Sequence, residues 1–454
     1  MAKGRKPKAE SRGQVLLQLT IDKLIYGGDG LARGPATERG KGKAVFVPFV
    51  LAGERIEARV LEEKPGFVRA EAHKVLQASP ERTTPHCPYF GECGGCHYQH
   101  AGYESQLRIK TGILGETLQR IGGIEVPPIQ EHPSAPWHYR NRTRVKVRGG
   151  DKFALGYFRG NSHTLLPVEH CPISSPLINR ALAAVWQLGH AHMVADVLVE
   201  IEFFANAADN QLLLEFTLPD QYWTHSRQPS LAEFVTELRH LLPEVAGVVA
   251  FRTTAQGPLV REEVPQQLRE TFGADELVYD TGGCEYHVSA GSFFQTNRYL
   301  TTTLLDLVTT GRTGDAALDL YAGTGLFALP LSQSFREVTA VEAAPFSFHD
   351  LRRNTPSNVE AHRETTEDFL ARMDETTEFD LVVVDPPRAG LGEKTAADLS
   401  RLNTSQITYV SCDPATLARD LKVLLAAGFR VDQMHVVDLF PQTYHIESVT
   451  QLVR

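Results

Sequence analysis

A glycine-rich turn that follows an apolar strand constrains the fold of this chain more than any other feature. Residues 317–326 read Ala-Leu-Asp-Leu-Tyr-Ala-Gly-Thr-Gly-Leu, and a second predicted strand, Val338–Val341, ends at Glu342, 19 residues after Gly323. Glycines let the backbone approach a ligand closely, and an acidic side chain at this spacing can accept hydrogen bonds from both ribose hydroxyls of a nucleoside cofactor. The third glycine of the usual pyrophosphate-binding pattern is absent, which argues against a dinucleotide.

The C-terminal part alternates predicted strands and helices, which indicates a mainly parallel sheet covered by helices. The further strands predicted there are 379–385, Ile407–Ser411, Arg430–Leu439 and Ser448–Val453. Cys412 directly follows one of these strands and precedes a predicted helix, Ala415–Ala426. A thiol at a helix N-terminus is favoured as the thiolate, and ligands bind at the carboxyl ends of parallel strands. Cys412 is therefore a candidate nucleophile, and Glu447, before the last strand, is a candidate general base beside it.

Charge is distributed unevenly along the chain. The net charge is −9, but residues 1–150 carry 24 Lys and Arg against 15 Asp and Glu, whereas the remainder carries 22 against 40. Phosphate contacts are therefore expected at the N-terminal end. Residues 1–12 are predicted to be a basic disordered tail. Short predicted strands separated by glycine turns follow and indicate a small closed β-barrel; they are Val15–Ile25, Ala44–Phe49, Arg55–Glu62 and Val68–Val75.

Four of the six cysteines form a candidate metal site. Cys87, Cys93 and Cys96 follow one another at short spacings, and Cys171 lies further along the chain. In a long chain without a secretory signal, metal binding or catalysis is a better interpretation than disulfides. Four thiolates suit either a zinc ion or an iron–sulfur cluster, and the spacing alone leaves both open. We assign Cys284 a structural role.

Four motifs in the C-terminal part carry a specific resemblance. They are Ser-Phe-Phe-Gln-Thr-Asn at 292–297, Asp-Pro-Pro-Arg-Ala-Gly at 385–390, Ser-Cys-Asp-Pro-Ala-Thr at 411–416 and Phe-Pro-Gln-Thr-Tyr-His-Ile-Glu at 440–447. Together they resemble the signature of the RNA uridine-5-methyltransferases. The stretches 138–144 and 156–163 resemble the central domain of the same family. Residues 13–76 resemble the small RNA-binding barrel, the TRAM domain, of its ribosomal members.

The resemblance implies a reaction and a set of functional residues. Cys412 would attack C6 of uracil, C5 would take a methyl group from S-adenosylmethionine, and Glu447 would remove the C5 proton, which is covalent catalysis that divides a difficult step. The resemblance places four residues around the cofactor, namely Gln295, Tyr321, Glu342 and Asp385, the last also close to the target base. It further implies a [4Fe-4S] cluster, with zinc as the alternative, held by Cys87, Cys93, Cys96 and Cys171.

The expected architecture is a multidomain α/β protein. A basic tail at 1–12 precedes an OB-like TRAM barrel at 13–76, a central α+β domain with the iron–sulfur site at 77–290, and a Rossmann-like methyltransferase domain at 291–454. The expected partner is 23S ribosomal RNA, before or during subunit assembly, with no membrane and no obligate protein partner. The absence of a secretory signal and of a long apolar run makes the cytoplasm the expected location.

Three alternative functions stay open at this point. The same chemistry on transfer RNA is one. An amino-methylating enzyme is another, since Asp-Pro-Pro resembles the acceptor loop of such enzymes, although they usually place an aromatic residue where Arg388 stands. The third is a non-catalytic RNA-binding or chaperone protein, against which the presence of both Cys412 and Glu447 argues.

Overall fold

The computed structural model describes residues 16–35, 42–219, 222, 230–253, 267–374 and 376–454. The predicted basic tail at 1–12 lies outside the described residues. Within the described residues, no helix has the length and apolar character needed to cross a membrane.

The N-terminal strands close into the predicted barrel. The strands are β1 (Leu16–Leu24), β2 (Asp29–Arg33), β3 (Ala44–Pro48), β4 (Arg55–Glu63) and β5 (Phe67–Gln77), in the order β1-β2-β3-β5-β4. Alternate residues such as Ile21, Val45 and Val47 are fully buried and fill the barrel, as the period of two along a strand requires. Strand β2 was not predicted, because it has only five residues and Leu31 is its one bulky apolar residue.

A helical segment and a short strand after the barrel join the C-terminal part of the protein. Helix α1 (Tyr103–Thr117) ends in a π-helical turn, Leu118–Gly122, where the sequence predicts an uninterrupted helix over 105–120. Strand β6 (Gln130–His132) then pairs in parallel with a strand near the C-terminus. The sequence places both elements in the central region, yet the apolar face of α1 packs in the core beneath the C-terminal sheet.

The central region is a seven-stranded sheet with helices on one face. Its order is β13-β12-β11-β10-β7-β8-β9, covered by the helices α2 (Pro176–His190) and α3 (Leu231–Leu241). The strands are β7 (Arg142–Arg148), β8 (Ala154–Phe158), β9 (Leu165–Pro167), β10 (Glu200–Ala205), β11 (Leu212–Pro219), β12 (Val245–Thr253) and β13 (Gln267–Gly273). A hairpin of β14 (Glu276–Thr281) and β15 (Cys284–Ser289) packs between this sheet and the C-terminal part.

Three of the four basic side chains of β7 are paired inside this sheet, and the fourth, Arg148, donates to the carbonyl of Lys152. Arg142 Nη2 lies 3.0 Å from Glu215 Oε1, and Arg144 Nη2 lies 2.6 Å from Glu202 Oε2. Lys146 pairs with Glu200 on the neighbouring strand β10. Much of the positive charge counted in this strand is therefore neutralised within the fold.

The C-terminal part has the predicted, mainly parallel sheet. Its order is β18-β17-β16-β20-β22-β24-β23-β6, and β24 runs antiparallel to both neighbours, as expected for a Rossmann-like methyltransferase fold. Its strands, besides β6, are β16 (Gly314–Leu320), β17 (Phe335–Val341), β18 (Val359–His362), β20 (Leu381–Val384), β22 (Gln406–Ser411), β23 (Arg430–Val437) and β24 (Glu447–Val453). Two short strands, β19 (Glu378–Phe379) and β21 (Asn403–Thr404), pair with each other in a separate sheet. The helices are α4 (Thr301–Thr309), α5 (Ala328–Leu331), α6 (Pro345–Asn354), α7 (Thr366–Arg372), α8 (Gly392–Ser400) and α9 (Pro414–Ala426).

Candidate active site

Three neighbouring parallel strands end at the same edge of the C-terminal sheet. The residues that follow β16, β20 and β22 are Tyr321, Asp385 and Cys412. The Asp385 amide donates to the carbonyl of Leu320 at 3.3 Å, which ties two of these strand ends together. The parallel strands thus bring together three residues that are separated by up to about 90 positions in the sequence. They lie at the edge where open α/β sheets bind ligands.

Cys412 lies in the turn between β22 and α9. Asp413 caps the helix, since its Oδ1 accepts hydrogen bonds from the amides of Ala415 at 2.9 Å and Thr416 at 3.0 Å. Burial, followed by the carboxylates of Glu447 and Asp385, raises the pKa of the Cys412 thiol to about 12. The thiolate expected from the helix N-terminus is therefore not favoured in the free protein, because burial and these carboxylates outweigh the helix dipole.

Two buried carboxyl groups accompany the thiol. Burial and then the charge of Asp385 raise the pKa of Glu447 well above its ordinary value, and Glu447 is 7% exposed. Burial likewise raises the pKa of Asp385 to about 7. Buried carboxyl groups with raised pKa values can gain and lose protons closer to neutral pH, which suits them to acid–base work.

Arg388 is a positive charge that acts on both Cys412 and Glu447. Its charge opposes the rise in pKa of both Cys412 and Glu447. Its Nη2 lies 3.1 Å from Nδ1 of His445. Burial and then Arg388 lower the pKa of His445 to about 3, so the ring is neutral and can accept a hydrogen bond. The sequence analysis did not select Arg388 or His445 as site residues, although both lie inside the motifs at 385–390 and 440–447.

A residue of the barrel also reaches this site and was missed by the sequence analysis. The hydroxyl of Tyr26 donates to the backbone carbonyl of Cys412 at 3.2 Å. No pattern in the sequence indicates this contact, which depends on how the barrel packs against the C-terminal part.

The glycine-rich turn after β16 has the backbone that its sequence predicts. Tyr321, Gly323 and Gly325 have φ values of 62°, 57° and 91°. The left-handed region favours glycine, and its use by Tyr321 is the kind of strain found at ligand sites. Glu342 Oε2 accepts a hydrogen bond from the Gly323 amide at 2.9 Å, so the acidic residue lies against the turn. This open turn with a carboxylate beside it fits a nucleoside cofactor.

The side chains of two further residues predicted to contact the cofactor, Tyr321 and Gln295, have different surroundings. The Tyr321 hydroxyl donates to Glu367 Oε1 at 3.1 Å, at the rim of the turn. Gln295 is buried in the segment between β15 and α4. Among the described residues, no hydrogen bond links the Gln295 side chain to the other candidate residues.

The four predicted metal-binding cysteines surround a single cavity. Cys87, Cys93, Cys96 and Cys171 line a space of about 170 Å³, together with Arg140 and His445. In the described ranges of the chain, no three His, Cys, Asp or Glu side chains meet closely enough to hold a single metal ion. Burial, followed in each case by interactions that include the Cys171 thiol, raises the pKa of Cys93 to about 11 and of Cys96 to about 12. The four cysteines thus line one shared cavity.

Comparison with known proteins identifies the family. A family model described as tRNA (uracil-5-)-methyltransferase matches residues 102–454. An uncharacterized RNA methyltransferase of Aquifex aeolicus is 35% identical over 96% of this chain and 98% of its own length. The 23S rRNA (uracil(1939)-C(5))-methyltransferase RlmD of Pectobacterium atrosepticum is 32% identical over 95% of this chain and 92% of its own.

A solved structure shares the fold. The tRNA (uracil-54, C5)-methyltransferase of Pyrococcus abyssi, in complex with S-adenosyl-L-homocysteine, superimposes with a TM-score of 0.75 at 24% identity, over 96% of this chain and 99% of that one. At this identity the likeness concerns the fold alone. The family match and the relatives above give one conclusion: the chain belongs to the tRNA (uracil-5-)-methyltransferase family and is an S-adenosylmethionine-dependent RNA (uracil-5-)-methyltransferase.

Proposed function

We propose that this enzyme methylates C5 of a specific uridine in 23S ribosomal RNA, with Cys412 as the nucleophile and Glu447 as the base. One observation carries the proposal: Cys412, Asp385 and Glu447 lie together at one edge of the sheet and interact electrostatically. The positive charge of Arg388 acts on the same site. A nucleophile, carboxyl groups with raised pKa and a cation in one partly buried site are the components that addition to a uracil ring requires.

The reaction divides into three steps. The Cys412 sulfur forms a bond to C6 of uracil, and the electron pair of the C5–C6 double bond moves toward the C4 carbonyl oxygen. The electron pair of the resulting enolate then forms the bond from C5 to the methyl group that S-adenosylmethionine would supply, as the bond between that methyl and the sulfonium sulfur breaks and the sulfur leaves as a neutral thioether. Glu447 takes the proton from C5, the C5–C6 double bond re-forms, and the Cys412 sulfur leaves. Each step has a lower barrier than direct methylation of the weakly nucleophilic C5.

The protonation states of Cys412 and Glu447 determine what must happen before each step. The raised pKa of Cys412 means that the thiol must lose its proton before it attacks. A neighbouring carboxylate is the acceptor that the site offers, and Arg388 stabilises the negative charge that develops. Glu447 must then be unprotonated to remove the C5 proton.

We assign the cofactor to the turn after β16. Glu342, beside the turn, would hold the ribose hydroxyls, and Asp385, directly after β20, would contact both the cofactor and the target base. Tyr321 and Gln295 complete the set of proposed contacts.

We assign a [4Fe-4S] cluster to the cavity lined by Cys87, Cys93, Cys96 and Cys171. A cluster of four irons needs thiolates around a space, whereas a zinc ion needs them around a point. The cavity of about 170 Å³ that the four cysteines line has room for such a cluster, and zinc is the alternative. Methyl transfer requires no electron, so the group would stabilise the loops that carry the cysteines.

The choice of 23S ribosomal RNA rests on the relatives and the barrel. The relative from Pectobacterium atrosepticum acts on 23S rRNA by its name and is aligned over nearly the whole chain. We propose that residues 13–76 form a TRAM-type RNA-binding domain, 77–290 the central domain and 291–454 the methyltransferase domain. The enzyme would act on the RNA before or during subunit assembly. Transfer RNA is the alternative substrate.

An adduct assay tests the mechanism. Fluorine at C5 cannot leave as a proton does, so RNA that contains 5-fluorouridine should trap wild-type enzyme in a covalent complex. Cys412→Ala should form no complex, whereas Cys284→Ala, which removes a buried thiol outside the site, should form as much as the wild type. Glu447→Gln should accumulate adduct with ordinary RNA because release fails. Methylation by Cys412→Ala at the wild-type rate would refute the mechanism. Parallel assays with 23S and transfer RNA transcripts decide the substrate.

A further inference from the structure

The turn between β1 and β2 of the barrel lies against the candidate active site. Ile25 and Gly28 close this turn, since the Ile25 amide donates to Asp29 O at 3.0 Å and the Gly28 amide to Ile25 O at 3.2 Å. Gly28 packs so closely on His97 that a Cβ would lie 3.1 Å from the Cβ of His97. Tyr26, at the tip, is thus carried on a turn of defined geometry.

Further contacts fix the barrel to the rest of the protein. Leu24 and Leu51 of the barrel pack with Tyr98 and Ala101 in one buried cluster. Lys23 pairs with Glu116 on helix α1. The barrel is therefore held in place by apolar packing and by charge, independently of Tyr26.

Tyr26 makes two distinct contacts at the site. Its hydroxyl donates to the carbonyl of Cys412 at 3.2 Å. Its ring meets Tyr444 edge to face, with 5.6 Å between centroids and 87° between planes. Burial and then the charge of Asp413 raise the pKa of the Tyr26 hydroxyl, so it keeps its proton and remains a donor.

The carbonyl of Cys412 belongs to the peptide that joins the nucleophile to the cap of α9. On the far side of that peptide, Asp413 is already fixed by its two hydrogen bonds to the helix amides. The amide of the same peptide donates to Ser411 Oγ at 3.3 Å, so the hydrogen bond from Tyr26 holds the carbonyl side of a peptide whose other side is already bonded. Together the two bonds restrict rotation of this peptide, and so the direction in which the Cys412 side chain points. A misplacement of about 1 Å from the geometry of attack can cost about 100-fold in rate.

We propose that Tyr26 is a positioning residue for Cys412, through which the barrel helps to orient the nucleophile. This inference rests on the proposed function, because it assumes that Cys412 attacks the base. It assigns the barrel a role in the reaction beyond RNA binding. It also implies that the rate of the covalent step, and not only RNA affinity, depends on a residue of the barrel.

The test compares hydroxyl deletions in the full-length protein. Tyr26→Phe keeps the ring contact with Tyr444 and removes the hydrogen bond. Tyr98→Phe is the matched control, because the Tyr98 hydroxyl is buried at the same barrel contact and has no hydrogen-bond partner among the described residues. The measurement is the single-turnover rate of adduct formation at saturating concentrations of S-adenosylmethionine and of 23S rRNA transcribed with 5-fluorouridine. RNA affinity, cofactor affinity and melting temperature are measured for each variant.

The expected result is a rate that falls about three- to tenfold in Tyr26→Phe, the range that one hydrogen bond contributes, with both affinities and the melting temperature unchanged. Tyr98→Phe should retain the wild-type rate. A wild-type rate in Tyr26→Phe, a loss confined to RNA affinity, or an equal loss in Tyr98→Phe would overturn the inference. Adduct formation by Cys412→Ala would instead refute the proposed function. If only a transfer RNA transcript forms the adduct, the same comparison is made with that RNA.

Discussion

Nδ1 of His445 lies 3.1 Å from Nη2 of Arg388, and the same imidazole lines the cavity shared by the four cysteines. Arg388 opposes the rise in the pKa of the Cys412 thiol. A neutral His445 accepts a hydrogen bond from the Arg388 guanidinium and so restricts the position of the Arg388 charge. One side chain thus connects the cysteine cavity with the candidate active site.

The first prediction concerns this contact. His445→Ala should slow adduct formation about tenfold, because a hydrogen bond to a charged group is lost and Arg388 is free to turn toward solvent. His445→Asn, which keeps an acceptor oxygen, should recover part of the rate. Cofactor affinity should not change, and neither should iron content, because His445 is outside the four thiols. The measurements are single-turnover adduct kinetics, cofactor titration and iron analysis.

His97→Ala is the control for this variant. The His97 ring packs on Tyr444, with 4.6 Å between centroids, in the same aromatic group, but it does not contact Arg388 through any hydrogen bond found in the described residues. Equal slowing in both variants would attribute the effect to aromatic packing. Loss of iron in His445→Ala would place its role at the cysteine cavity instead.

The second prediction concerns the ionisation of Cys412. Its pKa is raised to about 12, so at neutral pH the thiol is protonated. Alkylation by iodoacetamide should be slow and should rise about tenfold for each pH unit between about pH 7 and pH 10, because the thiolate is the reactive form. Glu447→Gln removes a negative neighbour and should speed alkylation at a given pH, whereas Arg388→Gln removes a positive one and should slow it. Mass spectrometry of the Cys412 peptide measures the rate.

The buried Cys284 is an internal check in this experiment. It is 6% exposed in the core, so it should remain unmodified as long as the protein stays folded. A rate for Cys412 that levels off near pH 7 would contradict the prediction. Such a plateau would mean that the N-terminus of α9 dominates over burial and the carboxylates.

The sequence predicted those parts of the site that follow from local order along the chain. Cys412 and Asp385 come directly after parallel strands, and the topology of such a sheet brings its carboxyl ends together. The contact between Tyr26 and Cys412 joins residues 386 positions apart and depends on the packing of the barrel, for which the sequence carries no periodic signal. The prediction that Cys412 is a thiolate considered only the adjacent helix. The pKa of Cys412 depends also on burial and on Glu447, which belongs to another strand. Strand β6 was missed because three residues give too short a pattern.

The third prediction concerns the metal. Protein purified without oxygen should be brown and contain about four irons per chain, as a [4Fe-4S] cluster requires. Serine at position 87, 93, 96 or 171 should lower the iron content, because each of these cysteines lines the cavity. Cys284→Ser is the control and should retain iron. Iron analysis and visible absorption check this, and stoichiometric zinc in colourless, fully active protein would decide for the alternative.

The last prediction concerns the charges available for RNA. The excess of Lys and Arg in residues 1–150 overstates the free positive charge. Arg142 and Arg144 pair with glutamates inside the central sheet, and lysines of the barrel pair with glutamates of the barrel. Three exposed barrel residues form no ion pair with another described residue, namely Arg33, Arg55 and Lys74.

Replacement of these three residues by alanine should weaken RNA binding and flatten its salt dependence. The slope of log affinity against log salt is negative, and each lost phosphate contact reduces its magnitude by about 0.7 to 0.9. The three substitutions together should therefore reduce its magnitude by about 2 to 3. Lys394→Ala/Lys422→Ala, which removes exposed charges from α8 and α9, should leave the slope unchanged. Cofactor affinity should be the same in all variants, since the turn after β16 is untouched. The measurement is RNA affinity at several salt concentrations beside cofactor titrations. An unchanged slope in the triple variant would show that the barrel is not a phosphate anchor, and the contribution of Tyr26 to the covalent step would then be the barrel's remaining proposed role.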